Sequence, residues 1–154
     1  MKLNLLTNIN TATDLEILRQ QLLDLENGLF STKKVDKRYL AKFFTQENYD
    51  FFLQDLKENK ITISNIKALN TFISSILKHI SKLPKVHFTF AIQPVKKTLQ
   101  EISNYISTTD KKYIVSFSVD PSIYGGTIIM KDGKTFDYSI CKSIEPIILK
   151  SRLS

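Results

Sequence analysis

Apolar residues recur at two different spacings along this chain, and the change falls near Pro84. Before it they return every three or four positions, the repeat of an amphipathic helix. Leu15, Leu18, Leu22 and Leu25 form one such stripe. Thr13 and Glu16 stand at capping-box spacing ahead of it, so a helix is predicted over residues 13–27. Gly28 is expected to stop it. Asp36 is placed to cap a short helix carrying Tyr39, Leu40, Phe43 and Phe44. A further helix over residues 46–58 carries Tyr49, Phe52, Leu53 and Leu56, with Asn59 at its end. Ile63, Ile66, Leu69, Ile73, Ile76 and Ile80 then give the longest stripe, with Thr62 or Ser64 as the expected cap. Each stripe must be buried, and a bundle of neighbouring helices is the simplest way to do so.

Beyond Pro84 the repeat shortens to two. Val86, Phe88, Phe90 and Ile92 alternate with His87, Thr89 and Ala91, as in a strand with one buried face. Pro94 is expected in the first turn of a helix whose stripe is Val95, Leu99, Ile102 and Ile106. Asp110-Lys111-Lys112 turns the chain, and Tyr113, Val115, Phe117 and Val119 alternate again. Strand, helix and strand in that order have a crossover long enough for a parallel pair. Residues 127–131 and 134–138 flank Asp132-Gly133, a two-residue hairpin signal. A last helix is expected over residues 143–153, with Ile144, Ile147 and Ile148 on one side. The fold class is therefore α+β: an N-terminal helical bundle, then a small α/β domain with a strand-helix-strand unit, a β-hairpin and a C-terminal helix.

Composition narrows the functional classes. The chain has 154 residues, 42% of them hydrophobic, with only 4 Gly and 4 Pro, which fits a packed protein of one domain or two small ones. Its single cysteine, Cys141, has no internal partner, so a reducing compartment and an inert thiol are expected. No apolar run approaches the roughly 18 residues of a membrane span. The opening stretch has too short an apolar core for a signal peptide, so a soluble chain is expected. The net charge of +7 is spread along the sequence. Residues 1–84 hold 12 basic and 9 acidic residues, and residues 85–154 hold 10 and 6. The densest basic run, Lys33 to Arg38, is interrupted by Asp36. That pattern fits a solvated basic surface better than a nucleic-acid patch, which would gather Arg, Lys and aromatics on one face. A basic nucleic-acid-binding module is the alternative reading.

Candidate chemistry is sparse. Gly125-Gly126 is followed by a strand, without the Lys, Ser/Thr and helix start of a phosphate loop, so a backbone role is expected. His79 and His87 lie in different elements, and no Cys/His/Asp/Glu cluster has metal-ligand spacing. Asp120 and Asp137 are separate carboxylates near turns that could in principle pair as a catalytic dyad, but neither has a nucleophile or base nearby in sequence. Asp120-Pro121 favours a turn. Asp137 with Ser139 is placed to cap the last helix or tie down the hairpin end. No catalytic residue, cofactor or metal is expected.

Val119-Asp120-Pro121-Ser122-Ile123, then Gly125-Gly126, then Asp137-Tyr138-Ser139 after the hairpin carry a resemblance. The run resembles the C-terminal signature of the F-type ATP synthase delta subunit family, which includes the mitochondrial oligomycin-sensitivity-conferring protein. Phe52–Asn59 is similar to that family's late N-terminal helices, and Phe88–Pro94 to the strand leading into its C-terminal helix. The resemblance implies a helical domain over residues 1–84, shortened relative to the family, and an α/β domain over residues 85–154. It implies a non-catalytic stator subunit that resists rotor torque. The helical domain would bind alpha subunits of the catalytic head, and the second domain would bind subunit b. Membrane contact would be indirect, at the cytoplasmic face of the inner membrane or the equivalent organelle matrix face.

Overall fold

The computed structural model describes residues 3–7, 9–32, 34–108, 112–140 and 142, apart from the side chain of Ser107. Among these lie five α-helices and one four-stranded mixed sheet, an α+β architecture. Contacts divide the chain into two compact units. The first comprises residues up to Ile9 and Thr13–Leu83, and the second comprises Asn10–Ala12 and everything from Pro84 onward. The expected C-terminal helix and Cys141 lie outside the described residues.

The first unit is helical. A 3-10 turn at Asn4–Leu6 precedes α1 (Ala12–Ser31), α2 (Lys37–Ala41), α3 (Gln46–Glu58) and α4 (Ile66–Ile80). The stripes read from the sequence are the buried faces: Leu15, Leu18, Leu22 and Leu25 of α1, Phe52 and Leu56 of α3, and Leu69, Ile73, Ile76 and Ile80 of α4. Phe52 is fully buried and lies between Phe44 and Phe72, with ring centroids 4.7 and 6.3 Å away. Burying a side chain of that size contributes about 1.5–3 kcal/mol.

Three helix boundaries differ from expectation, each for a local reason. Helix α1 starts at Ala12, so Thr13 lies inside it, and it runs through Gly28 to Ser31. Gly28 is a packing site: a Cβ there would sit 2.7 Å from Tyr39 Oη and 2.8 Å from Phe43 Cζ. The Tyr39 hydroxyl donates to the Gly28 carbonyl at 2.8 Å, so the missing side chain lets α2 approach. Helix α4 starts at Ile66, because Asn65 caps it by accepting from the Ala68 N–H at 3.0 Å. Ile63 belongs to the connector, and neither Thr62 nor Ser64 is the cap. Pro94 stands two residues before α5 (Lys96–Ser107), so it precedes the first turn, and Ile92 is exposed beyond the strand end. Asp36 caps α2 as expected, accepting from the Tyr39 N–H at 2.8 Å.

The second unit carries the sheet. Strands β1 (Lys85–Phe90), β2 (Ile114–Val119), β3 (Thr127–Lys131) and β4 (Lys134–Asp137) lie in the order β2-β1-β3-β4. The β1–β2 pair is parallel, with Val86 opposite Val115 and Phe88 opposite Phe117. The other two pairs are antiparallel, with Phe88 opposite Ile129. Alternation puts Val86, Phe88, Phe90, Val115, Phe117 and Ile129 on one face, and Ile102 and Ile106 of α5 pack there. The Asp132-Gly133 turn has φ of 50° and 74°, the two positive values of a type I′ hairpin. One strand-like addition was not expected. Thr11 pairs in parallel with Val115, whose N–H donates to the Asn10 carbonyl at 2.9 Å.

Candidate functional site

The signature residues gather at one corner of the sheet. Val119 ends β2 opposite Phe90. The Asp120 N–H donates to the Phe90 carbonyl at 2.8 Å, which holds the turn against β1. The Asp120 carboxylate accepts from the Ser122 N–H at 2.9 Å and caps a 3-10 turn over Pro121–Ile123. Ile123 is buried beneath that turn, and Pro121 occupies an early turn position, where its fixed φ suits the bend. Tyr124 then takes a left-handed conformation at φ 58°.

Gly125 and Gly126 carry the chain into β3, and each faces the segment that follows β4. A Cβ on Gly125 would collide with the Ile140 side chain, and one on Gly126 with the Tyr138 carbonyl oxygen. Gly126 also has φ of 81°, which disfavours any side chain independently of space. The Gly125 carbonyl accepts from the Ile140 N–H at 2.9 Å, and the Thr127 carbonyl accepts from the Tyr138 N–H at 2.9 Å. Between them Ser139 is buried, and its N–H donates to the Asp137 carboxylate at 2.9 Å. The Ser139 hydroxyl in turn accepts from the Lys142 N–H at 3.4 Å. Two sequence stretches more than ten residues apart therefore form one hydrogen-bonded corner. Val119, Asp120, Pro121, Ser122, Ile123, Gly125, Gly126, Asp137 and Ser139 all belong to it.

Electrostatics show what this corner can do. The Ser122 hydroxyl, then its backbone N–H, hold the Asp120 carboxyl below its ordinary pKa. The Ser139 hydroxyl and N–H do the same for Asp137, with a smaller contribution from Lys142. Both carboxylates are thus pushed in the same direction and both are ionised at neutral pH. An acid–base pair requires two pKa values driven apart. These aspartates fasten turns.

The remaining candidates are also bound into structure. His87 lies on the sheet face opposite the aromatic cluster, with Nδ1 and Nε2 each 2.8 Å from a serine hydroxyl, of Ser116 and Ser118. The Ser118 hydroxyl donates onward to Thr89 at 3.1 Å. His79 is exposed in the last turn of α4. Among the described residues no group of three His, Cys, Asp or Glu could hold a metal ion, and no helix is long and apolar enough to cross a membrane.

Sequence reading missed Asp55, which is fully buried in α3. Its carboxylate accepts from the Asn4 N–H at 2.7 Å, the Asn4 side-chain amide at 2.9 Å and the Leu5 N–H at 3.0 Å. It therefore ties the leading 3-10 turn to the bundle across about 50 residues of sequence.

A helical unit, a small mixed sheet and a corner whose polar groups are spent on backbone geometry make up a two-part α+β protein. The comparison with known families agrees and is more specific. The family model described as ATP synthase delta (OSCP) subunit matches residues 9–148, and the chain belongs to that family. It is a subunit of the peripheral stalk of F-type ATP synthase, a structural component that associates with the other subunits of that complex. No curated protein matches the chain at a significant level.

Proposed function

We propose that the protein is the stator adaptor that joins the catalytic head to subunit b and resists the torque of the rotor. The helical domain, residues 1–84, grips N-terminal helices of alpha subunits, and the α/β domain, residues 85–154, meets subunit b. The complex holds the protein at the cytoplasmic face of the inner membrane, or at the matrix face in an organelle, without direct lipid contact. The observation that carries this reading is the family match across residues 9–148. The corner supports it. Its nine signature residues act as a structural brace, fixing the ends of all four strands. Tyr124, Tyr138 and Ile140 stand exposed around it, so the braced bend presents apolar side chains outward. An adaptor under load gains from such a brace, because a turn held by several hydrogen bonds opens only when they break together.

The test is affinity purification of the full chain from its native cell, followed by chemical cross-linking. Recovery of alpha and b subunits, with cross-links from residues 1–84 to alpha and from residues 85–154 to b, is the expected result. Purification that recovers no ATP synthase subunit would refute the proposal.

A further inference from the structure

Asn27-Gly28 and Asp132-Gly133 both set a side-chain carbonyl carbon beside a glycine nitrogen, and the fold treats the two pairs oppositely. A glycine has no Cβ to shield its backbone nitrogen, so that nitrogen can attack the carbonyl carbon of the side chain before it. At Asn27 the attack is blocked. Gly28 lies inside α1, where its nitrogen is fixed in the helical ladder. The Tyr39 hydroxyl and the Phe43 ring fill the space that a Cβ would take.

At Asp132 the backbone is open. The ladder closes with Lys131 opposite Lys134, which leaves Asp132 and Gly133 outside it at the hairpin tip. Both are exposed, and apart from chain neighbours no atom stands within 4 Å of where a Gly133 Cβ would lie. One contact restrains the side chain. The Tyr113 hydroxyl donates to Asp132 Oδ2 at 2.8 Å. Tyr113 is buried in the apolar cluster just ahead of β2, and the Lys131 ammonium lies 4.5 Å from its ring centroid. Because β1 stands between β2 and β3, this bond ties the tip to a strand two places away. A carboxylate pinned from outside its own turn cannot swing freely over the Gly133 nitrogen.

We propose that Asp132-Gly133 is an isoaspartate-forming site of the folded protein, and that the Tyr113 hydroxyl sets how fast it reacts. The Gly133 nitrogen bonds to Asp132 Cγ. Its proton, one carboxylate oxygen and a proton from solvent leave as water. Water then opens the five-membered imide at either carbonyl, which restores aspartate or leaves the main chain routed through Cβ. The rerouted chain is one carbon longer, in a turn whose two-residue length fixes the register of β3 and β4. Asp137, which holds Ser139 at the corner, stands at the far end of that ladder. Ageing at the tip therefore loosens the corner.

The test incubates the full chain, folded, at neutral pH and physiological temperature for several weeks. Isoaspartate is counted with an isoaspartate-specific methyltransferase and located by peptide mass mapping. Wild type is compared with Tyr113→Phe, which keeps the ring, and with Gly133→Ala, whose methyl shields the attacking nitrogen. Circular dichroism confirms folding. Tyr113→Phe should form isoaspartate at residue 132 about fivefold faster than wild type, the factor expected when one ordinary hydrogen bond is lost. In urea the two rates should agree, and Gly133→Ala should fall below wild type. No isoaspartate at residue 132 in either the folded wild type or Tyr113→Phe, equal folded rates for those two, a signal undiminished in Gly133→Ala, or faster reaction at Asn27 would each overturn the proposal.

Discussion

Replacing Asp55 with alanine tests how the bundle holds its leading segment. The side chain is fully buried and accepts three hydrogen bonds, two from Asn4 and one from the Leu5 N–H. Leu5 is itself buried, so water cannot reach its amide once the carboxylate is gone. A buried donor left unsatisfied costs about 1–3 kcal/mol. Asn4 is only partly buried and regains some solvation, so losing its two charge-assisted bonds adds about 1–2 kcal/mol. The expected destabilisation is therefore about 2–5 kcal/mol, a large fraction of the roughly 5–15 kcal/mol typical of a domain. Asp55→Asn keeps one acceptor oxygen but turns an NH2 toward a backbone donor, so it should fall between wild type and alanine. Urea unfolding followed at 222 nm measures all three proteins, because the helical signal dominates there. Limited proteolysis should also release the first residues of the alanine variant earlier. An alanine variant within about 1 kcal/mol of wild type, at an unchanged urea slope, would refute the assignment of Asp55 as the anchor of the 3-10 turn.

The other predictions concern turns. Gly126→Ala and Gly133→Ala both place a side chain at positive φ, which costs about 1–2 kcal/mol. Only at Gly126 does the new Cβ meet backbone, so its melting temperature should drop clearly further than that of the Gly133 variant. Lys60→Gly removes a side chain from the left-handed position of the Schellman motif that ends α3 and should stabilise the chain by up to about 1 kcal/mol in the same urea assay. Asp120 and Asp137 have depressed carboxyl pKa values in the folded state. Their contribution is therefore present above the unfolded value of about 3.9 and is lost as pH falls through the lower folded value. Asp137→Asn should flatten the loss of stability as pH falls below about 4, measured by thermal unfolding over a series of acidic buffers.

The elements with a strong periodic signal were legible. Helix α3 begins and ends where its stripe and Asn59 indicate, and the hairpin lies where Asp132-Gly133 places it. Gly28 was misread because a glycine after an apolar stripe looks the same whether it ends a helix or admits a neighbour. Its reason is the Tyr39 ring, 11 residues away. Ile63 extended the α4 stripe by accident of spacing, since it is half-buried beside α3 as part of the connector. Asp55 carries no signal of its role in the sequence, because its partners are 50 and 51 residues distant. At the corner the residues were recognisable one by one. That Gly125 and Gly126 exist to let residues 138–140 approach was not legible, because only the fold brings those stretches together.

The pairing of Thr11 with Val115 has a practical consequence for anyone dissecting the protein. A fragment beginning at Pro84 omits Asn10, so the amide hydrogen of Val115, in the middle of a fully buried side chain's own residue, loses its acceptor. The excised half would bare a fresh flank of β2 and invite another molecule to zip onto it. Grafting Asn10-Thr11-Ala12 back through a flexible tether is the remedy that the hydrogen-bond pattern dictates.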